Sequence, residues 1–292
     1  MPEGCMEVRE KDWDIVLQNV SMQFGEKKVL KEVSLHIERG EIFGLLGPSG
    51  AGKTTLIKIL TGQAARTGGS ACLWGRDCGQ LGREAYRKIG MMLDNTGLYE
   101  RLSCYDNLKL FAQIYGIPME KAEDGLQAVG LWQDRKQTVG KLSKGMRGRL
   151  ALVRAVMHEP QLLFLDEPTS GLDPATSVWI HKLIKKQQGQ GTTVFLTTHN
   201  MEEAAKLCSH VALLSDGTIV EYGKPEEICR RHDRERQIRI LLKDGERVLM
   251  RNESTQAEML KDYMAHGMIE TIHSLEPDLE TVFLQLTGKE WK

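Results

Sequence analysis

The chain has 292 residues, 39 lysines and arginines against 40 aspartates and glutamates, and a hydrophobic fraction of 41%. That is enough for one large domain with an appendage and a sizeable core, while a net charge of -1 removes the footprint expected of a general nucleic-acid binder. The six cysteines contain no C-x-x-C pair that would suggest a zinc or redox motif, the stretch "MPEGCMEVREKDWD" is too charged for a secretory signal, and no apolar run approaches the roughly 18–20 residues that span a bilayer. If the protein works at a membrane, another chain must anchor it.

Between residues 15 and 47 the runs "IVLQNVSMQF", "VSLHIE" and "IFGLLG" predict strands separated by glycine and charged turns. The last enters "GPSGAGKTT", and "KTTLIKIL" then carries apolar residues at helical spacing, which completes a strand, loop and helix. From about 98 to 160 the pattern turns helical, in "YDNLKLFAQIYG", "EKAEDGLQAVG" and "MRGRLALVRAVMH", and reads as a helical insertion in an α/β domain. Buried-type strands resume at "LLFLDE" and "TVFLTTH", and "VALLSDGTIVEYG" predicts a hairpin turning at Asp216-Gly217. The alternating charges of "RRHDRER" (230–236) read as a solvated linker, which divides the chain into 1–232 and a small α+β domain, 233–292. Strands are expected there around "RQIRILL" and "RVLMRN", and helices around "QAEMLKDYMAHG" and "DLETVFLQLTG".

Gly47, Pro48, Ser49, Gly50, Ala51, Gly52, Lys53 and Thr54 fit G-x-x-x-x-G-K-[ST], and Thr55 continues into the helix. Glycines let the backbone wrap phosphates closely, and the N–H groups of the loop and helix start stabilise the anion. Lys53 is expected to reach the β- and γ-phosphates, and Thr54 to offer a hydroxyl to Mg²⁺. Asp166 and Glu167 end "LLFLDE" at the sheet edge where such a site lies. Asp166 suits the outer sphere of Mg²⁺, and Glu167 suits polarisation of an attacking water. His199 ends a neighbouring strand; a lone histidine is usually structural, but at this edge a donor can meet the γ-phosphate. "LSKGM" (142–146) sets Ser143 and Gly145 at another helix start, a second anion cradle in a chain that already has one. It would serve the nucleotide of a second subunit, with two chains arranged head to tail.

Together "GPSGAGKTT", "LSKGM" ahead of "LLFLDEPTSGLDP", and "TTH" resemble the ATP-binding subunit of an ABC transporter over about residues 14–230. The resemblance implies a P-loop NTPase core with a helical subdomain, ATP and Mg²⁺ as cofactors, and a homodimer docked through its helical insertion on an integral-membrane permease at the cytoplasmic face. It makes "LSKGM" the signature motif, with Lys144 and Met146 departing from the commoner LSGGQ, and "SGLD", ending at Asp173, the loop linking the two sites. It gives Phe24 the position whose ring stacks on adenine. The tail "IETIHSLEPDLETVFLQLTG" resembles the C-terminal domain of ABC-2 type exporter ATPases, which include drug, antibiotic and bacteriocin-resistance systems. In "GMMLDNTGLYERL" the resemblance places a glutamine that contacts Mg²⁺ and water; here Asp94 stands there, beside Asn95. Soluble ABC-type ATPases of DNA repair or ribosomes are the alternative. They would show a long heptad insertion, zinc-binding cysteines or a second cassette, none of which is present.

Overall fold

The computed structural model describes residues 13–93 and 97–288. Two compact units divide at Tyr222 and Gly223. In the first, β1 (Trp13–Phe24) and β2 (Lys27–Glu38) form a long antiparallel pair. They are followed by β3 (Ile42–Leu46), α1 (Lys53–Leu60), β4 (Gly68–Leu73), β5 (Arg76–Asp77), α2 (Arg83–Tyr86) and β6 (Ile89–Met92). Three helices come next: α3 (Cys104–Tyr115), α4 (Met119–Ala128) and α5 (Lys144–Val156). The chain then runs through β7 (Leu162–Asp166), α6 (Pro174–Gly189), β8 (Thr193–Thr198), α7 (Met201–Leu207), β9 (His210–Ser215) and β10 (Thr218–Gly223).

Strands β3, β7 and β8 are buried at every residue, the pattern of parallel strands covered on both faces. They lie in a six-stranded sheet of order β10-β9-β3-β8-β7-β6, with β3 parallel to β8 on one side and to β9 on the other. A second sheet, β2-β1-β4-β5, shares its core through Ile15, Leu17, Phe43, Leu45, Phe164 and Phe195. Register sets the functional edge. Leu46 is level with Thr198, and Asp166 with Thr197, so the segments leaving β3, β7 and β8 emerge side by side.

Helices α3, α4 and α5 build a separate core from Leu108, Leu126, Val129, Leu131, Leu150 and Val153. The helical insertion therefore folds around its own apolar centre. Three strands of this unit, β4, the two-residue β5 and β6, were not legible as such. β6 is four residues, "IGMM", too short to alternate, and β4 begins on two glycines.

From Gly223 the second unit holds α8 (Pro225–Arg231), β11 (Gln237–Leu242), β12 (Arg247–Arg251), α9 (Ala257–Ala265), β13 (Ile269–Leu275) and α10 (Leu279–Thr287). The division falls ten residues before the 232/233 boundary read from the charge run. The reason is that α8 packs on α10, so Arg230 and Arg231 end a helix of the tail rather than form a linker. Strand β13 was also unread, because five of its seven residues are exposed and show no alternation.

His158, just past α5, ties the helical core to β6. Its Nε2 lies 3.1 Å from the Ile89 carbonyl oxygen, and its ring stacks on Tyr115 at 3.9 Å and 2°. Nδ1 is buried with no hydrogen-bond partner among the described residues, so a second proton there would find no acceptor. Burial, together with the nearby Arg154 charge, pushes its pKa down to about 4 from 6.5. A histidine neutral in the fold but free to protonate when unfolded stabilises above its unfolded pKa, and that contribution is lost as pH falls from about 6.5 towards 4. We expect this group to remove about 3 kcal/mol of stability across that window, read from urea unfolding of the full chain. His158→Gln should flatten the profile there by a similar amount; parallel profiles would show that the imidazole carries no such linkage.

Candidate active site

The loop between β3 and α1 is closed to side chains where it turns. A Cβ on Gly47 would stand 2.6 Å from the Leu214 carbonyl oxygen, and one on Gly52, at φ 115°, 2.7 Å from Leu30 Cδ2. Gly52 caps α1 without a side-chain hydrogen bond, so the first amides of the helix keep their donors for an anion. Ser49 and Gly50 are exposed at the tip, Pro48 is half-buried and Ala51 buried beneath it. This is a cradle of backbone donors, and it fits a phosphate chain.

Lys53 is buried, and its Nζ donates to the Gly47 and Pro48 carbonyl oxygens at 2.5 and 3.2 Å. It also stands 3.4 Å from Glu167 Oε1. Thr54 Oγ1 donates to Asp166 Oδ2 at 2.8 Å, and Thr197 Oγ1 donates to Asp166 Oδ1. Asp166 is only 3% exposed, so these hydroxyls satisfy a carboxylate that would otherwise be costly to bury. No cluster of three or more His, Cys, Asp or Glu side chains suited to a metal occurs among the described residues. Magnesium is commonly held by one or two protein groups together with substrate phosphates, and the Thr54–Asp166 pair fits that role.

Glu167 adopts φ 51°, a left-handed backbone that a non-glycine residue enters at some cost. Its amide donates to the Thr197 carbonyl oxygen at 3.0 Å, which holds the turn. The carboxylate therefore sits between Lys53 Nζ and His199 Nδ1, the latter 2.6 Å from Oε2. Such a carboxylate is placed to accept a proton from a water, with a cation on one side and an imidazole on the other.

Ser143, Gly145 and Asp173 form a second group. Ser143 caps α5 by accepting from the Met146 amide at 3.2 Å. Asp173 caps α6, accepting from the Thr176 amide and hydroxyl at 2.9 and 2.7 Å, and these bonds hold its carboxyl below the usual range. The α-carbon of Gly145 faces this cap, with room for a Cβ only 3.6 Å from Asp173 Oδ2. A cavity of about 620 Å³ has Asp166, Glu167, Ser170, Lys144, Arg147 and Gly148 in its lining. Phe24 ends β1 with 56% of its surface exposed. Asp94, expected at the metal and water, and its neighbour Asn95 lie outside the described residues.

The supporting contacts of three residues went unread in the sequence. Thr197 was legible as part of "TTH", but its bond to Asp166 follows from strand register. Glu203, 6% exposed, accepts from the Thr169 hydroxyl at 2.6 Å and the Thr198 hydroxyl at 3.1 Å, and lies 2.5 Å from His181 Nε2. The only sequence signal for it is the N-cap Asn200 three residues earlier. Arg154 donates to the Met91 and Gly97 carbonyl oxygens at 2.7 and 3.3 Å, and its position inside the apolar stretch "LALVRAV" was the available clue.

A family model described as ABC transporter matches residues 30–170. A fluoroquinolones export ATP-binding protein of Mycobacterium tuberculosis is 40% identical over 259 residues, covering 87% of this chain and 86% of its own. The bacitracin transport ATP-binding protein BcrA of Enterococcus faecalis is 30% identical over 299 residues, covering 95% and 97%. Among solved structures, a dimeric ATP-binding cassette in a post-hydrolysis state with ADP and Pi superposes with a TM-score of 0.66 at 27% identity, covering 72% of this chain and 98% of that one. With a phosphate cradle, a buried lysine and two carboxylates meeting at one sheet edge in a chain so related, the protein belongs to the ABC transporter family, as one of its ATP-binding, ATP-hydrolysing subunits.

Proposed function

We propose that this chain powers export of a substrate through a separate integral-membrane permease, working as an ATP-dependent dimer on the cytoplasmic face of the membrane. The observation that carries the reading is the convergence of Lys53, Thr54, Asp166, Glu167 and His199 at the ends of β3, β7 and β8. Relatives named for fluoroquinolone export and bacitracin transport support the direction and the class of system. No helix among the described residues is long and apolar enough to cross a membrane, which is consistent with a permease on another chain. Nothing supports the reading in DNA repair or on ribosomes.

In this reading Lys53 turns from the Gly47 and Pro48 carbonyls to the β- and γ-phosphate oxygens, and Phe24 stacks on adenine. Thr54 and Asp166 would hold Mg²⁺, which would supply charge neutralisation of the phosphates. Glu167 orients the attacking water and accepts its proton, while His199 fixes the Glu167 carboxylate and faces the γ-phosphate. Ser143, Gly145 and Asp173 close over the nucleotide of the partner chain, so that each dimer buries two. The helical core around α3 and α4 is the docking surface for the permease, and Asp94 links the metal to it.

Glu167→Gln should reduce ATP turnover by about 10²–10⁴-fold while nucleotide binding persists, and should trap an ATP-bound dimer visible by size-exclusion chromatography. Near wild-type hydrolysis would remove Glu167 from the base role. Ser143→Arg should abolish ATP-driven dimerisation with nucleotide binding to the monomer nearly intact, whereas Lys53→Ala should weaken binding itself; equal loss of binding in both variants would refute a site shared between two chains. Asp94→Asn should raise the Mg²⁺ concentration needed for half-maximal hydrolysis and uncouple hydrolysis from transport in a reconstituted complex. Unchanged Mg²⁺ dependence for Asp94→Ala, with loss of transport for Asn95→Ala, would move that role one residue along.

A further inference from the structure

The second unit carries a sheet of order β12-β11-β13 with two unlike faces. One face, with Ile240, Leu242 and Met250, packs against Leu260 and Tyr263 of α9. Strand alternation sends the intervening residues to the opposite face. Register places Arg239 at the centre of that face, opposite Leu249 on β12 and His273 on β13, while Arg247 and Arg251 stand opposite Leu241 and Gln237. Arg247 and Arg251 are therefore the diagonal neighbours of Arg239, at a separation of roughly 7–8 Å. All three arginines and His273 are exposed, and no aspartate or glutamate is paired opposite them, while Glu235, just before β11, accepts from Gln237 Nε2 at 2.6 Å.

Arg66, Arg147 and Arg230 each pair with a carboxylate, at 2.6, 3.2 and 3.4 Å. Arg239, Arg247 and Arg251 have no ion pair among the described residues, although like charges at neighbouring sheet positions repel. Three guanidinium forks on one sheet face suit phosphate groups, which they bind bidentately, better than they suit a single point charge. Between them Leu249 is 57% exposed. A cationic face with an exposed leucine among its arginines matches a surface of anionic headgroups, which takes up guanidinium forks and an apolar side chain together.

We propose that the open face of the β11–β13 sheet, through Arg239, Arg247 and Arg251, docks on the anionic phospholipid surface of the membrane. The inference takes only its membrane setting from the exporter reading; the face itself lies outside the ATPase machinery. It gives the tail a task, which is to hold the subunit against the bilayer independently of the permease.

The test is sedimentation of the purified full chain with phosphatidylcholine vesicles, alone or with about a third phosphatidylglycerol, at low and at high salt. Binding should require phosphatidylglycerol and be lost at high salt. Each arginine near an anionic surface contributes about fivefold, so the triple Arg239→Gln, Arg247→Gln, Arg251→Gln variant should lose binding by on the order of 100-fold. Its ATPase rate in solution should match wild type, which separates this inference from the catalytic reading and reports that the variant is folded. Lys182, Lys185 and Lys186 on α6 are exposed, so replacing these three with glutamine is a charge-matched control that should bind like wild type. Binding to neutral vesicles, retention in the arginine variant, equal loss in the lysine control, or preference for a soluble acidic peptide over the vesicles would each overturn the proposal.

Discussion

The Asp166 carboxylate is the constraint on which the functional edge depends. It is almost wholly buried, and an ionised group in that setting is costly unless its oxygens are satisfied. Both are, and by hydroxyls from different elements: Thr54 from the start of α1 and Thr197 from β8. One side chain on β7 thus fixes the phosphate-loop helix and the neighbouring strand at once. Glu167, the next residue, inherits that placement through its own amide bond to the Thr197 carbonyl oxygen.

A second buried carboxylate extends the same logic away from the edge. Glu203 on α7 gathers Thr169, just past the acidic pair, Thr198 at the end of β8 and His181 on α6. Because α6 begins at the Asp173 cap, the segment 167–173 is held at both ends: at Glu167 by strand β8 and at Asp173 by its own cap. The start of α5 at Gly145 faces the Asp173 end of this segment. Arg154, farther along α5, reaches the carbonyls of Met91 and Gly97 on either side of the segment that contains Asp94. Helix α5 is thereby tied to the end of β6 as well as packing on α6.

The sequence by itself determined the chemistry and the fold class, for a physical reason. A phosphate loop needs glycines, a lysine and a hydroxyl at fixed spacing between a strand and a helix, and fully buried parallel strands read as uninterrupted apolar runs. Both signals are local, so "GPSGAGKTT", "LLFLDE" and "TVFLTTH" were legible, and so was a helical insertion with its own apolar periodicity. What only the tertiary structure decided is long-range. Strand register paired Thr197 with Asp166 and brought Glu167 between Lys53 and His199, and no spacing in the sequence encodes a bond across 112 residues such as Thr54 to Asp166. The boundary of the tail moved to Gly223 because packing of α8 on α10 outweighed a charge run that looked like a linker. The arginine face likewise appears only when β11, β12 and β13 are set in register, since Arg239, Arg247 and Arg251 are scattered in sequence and become neighbours through backbone pairing alone.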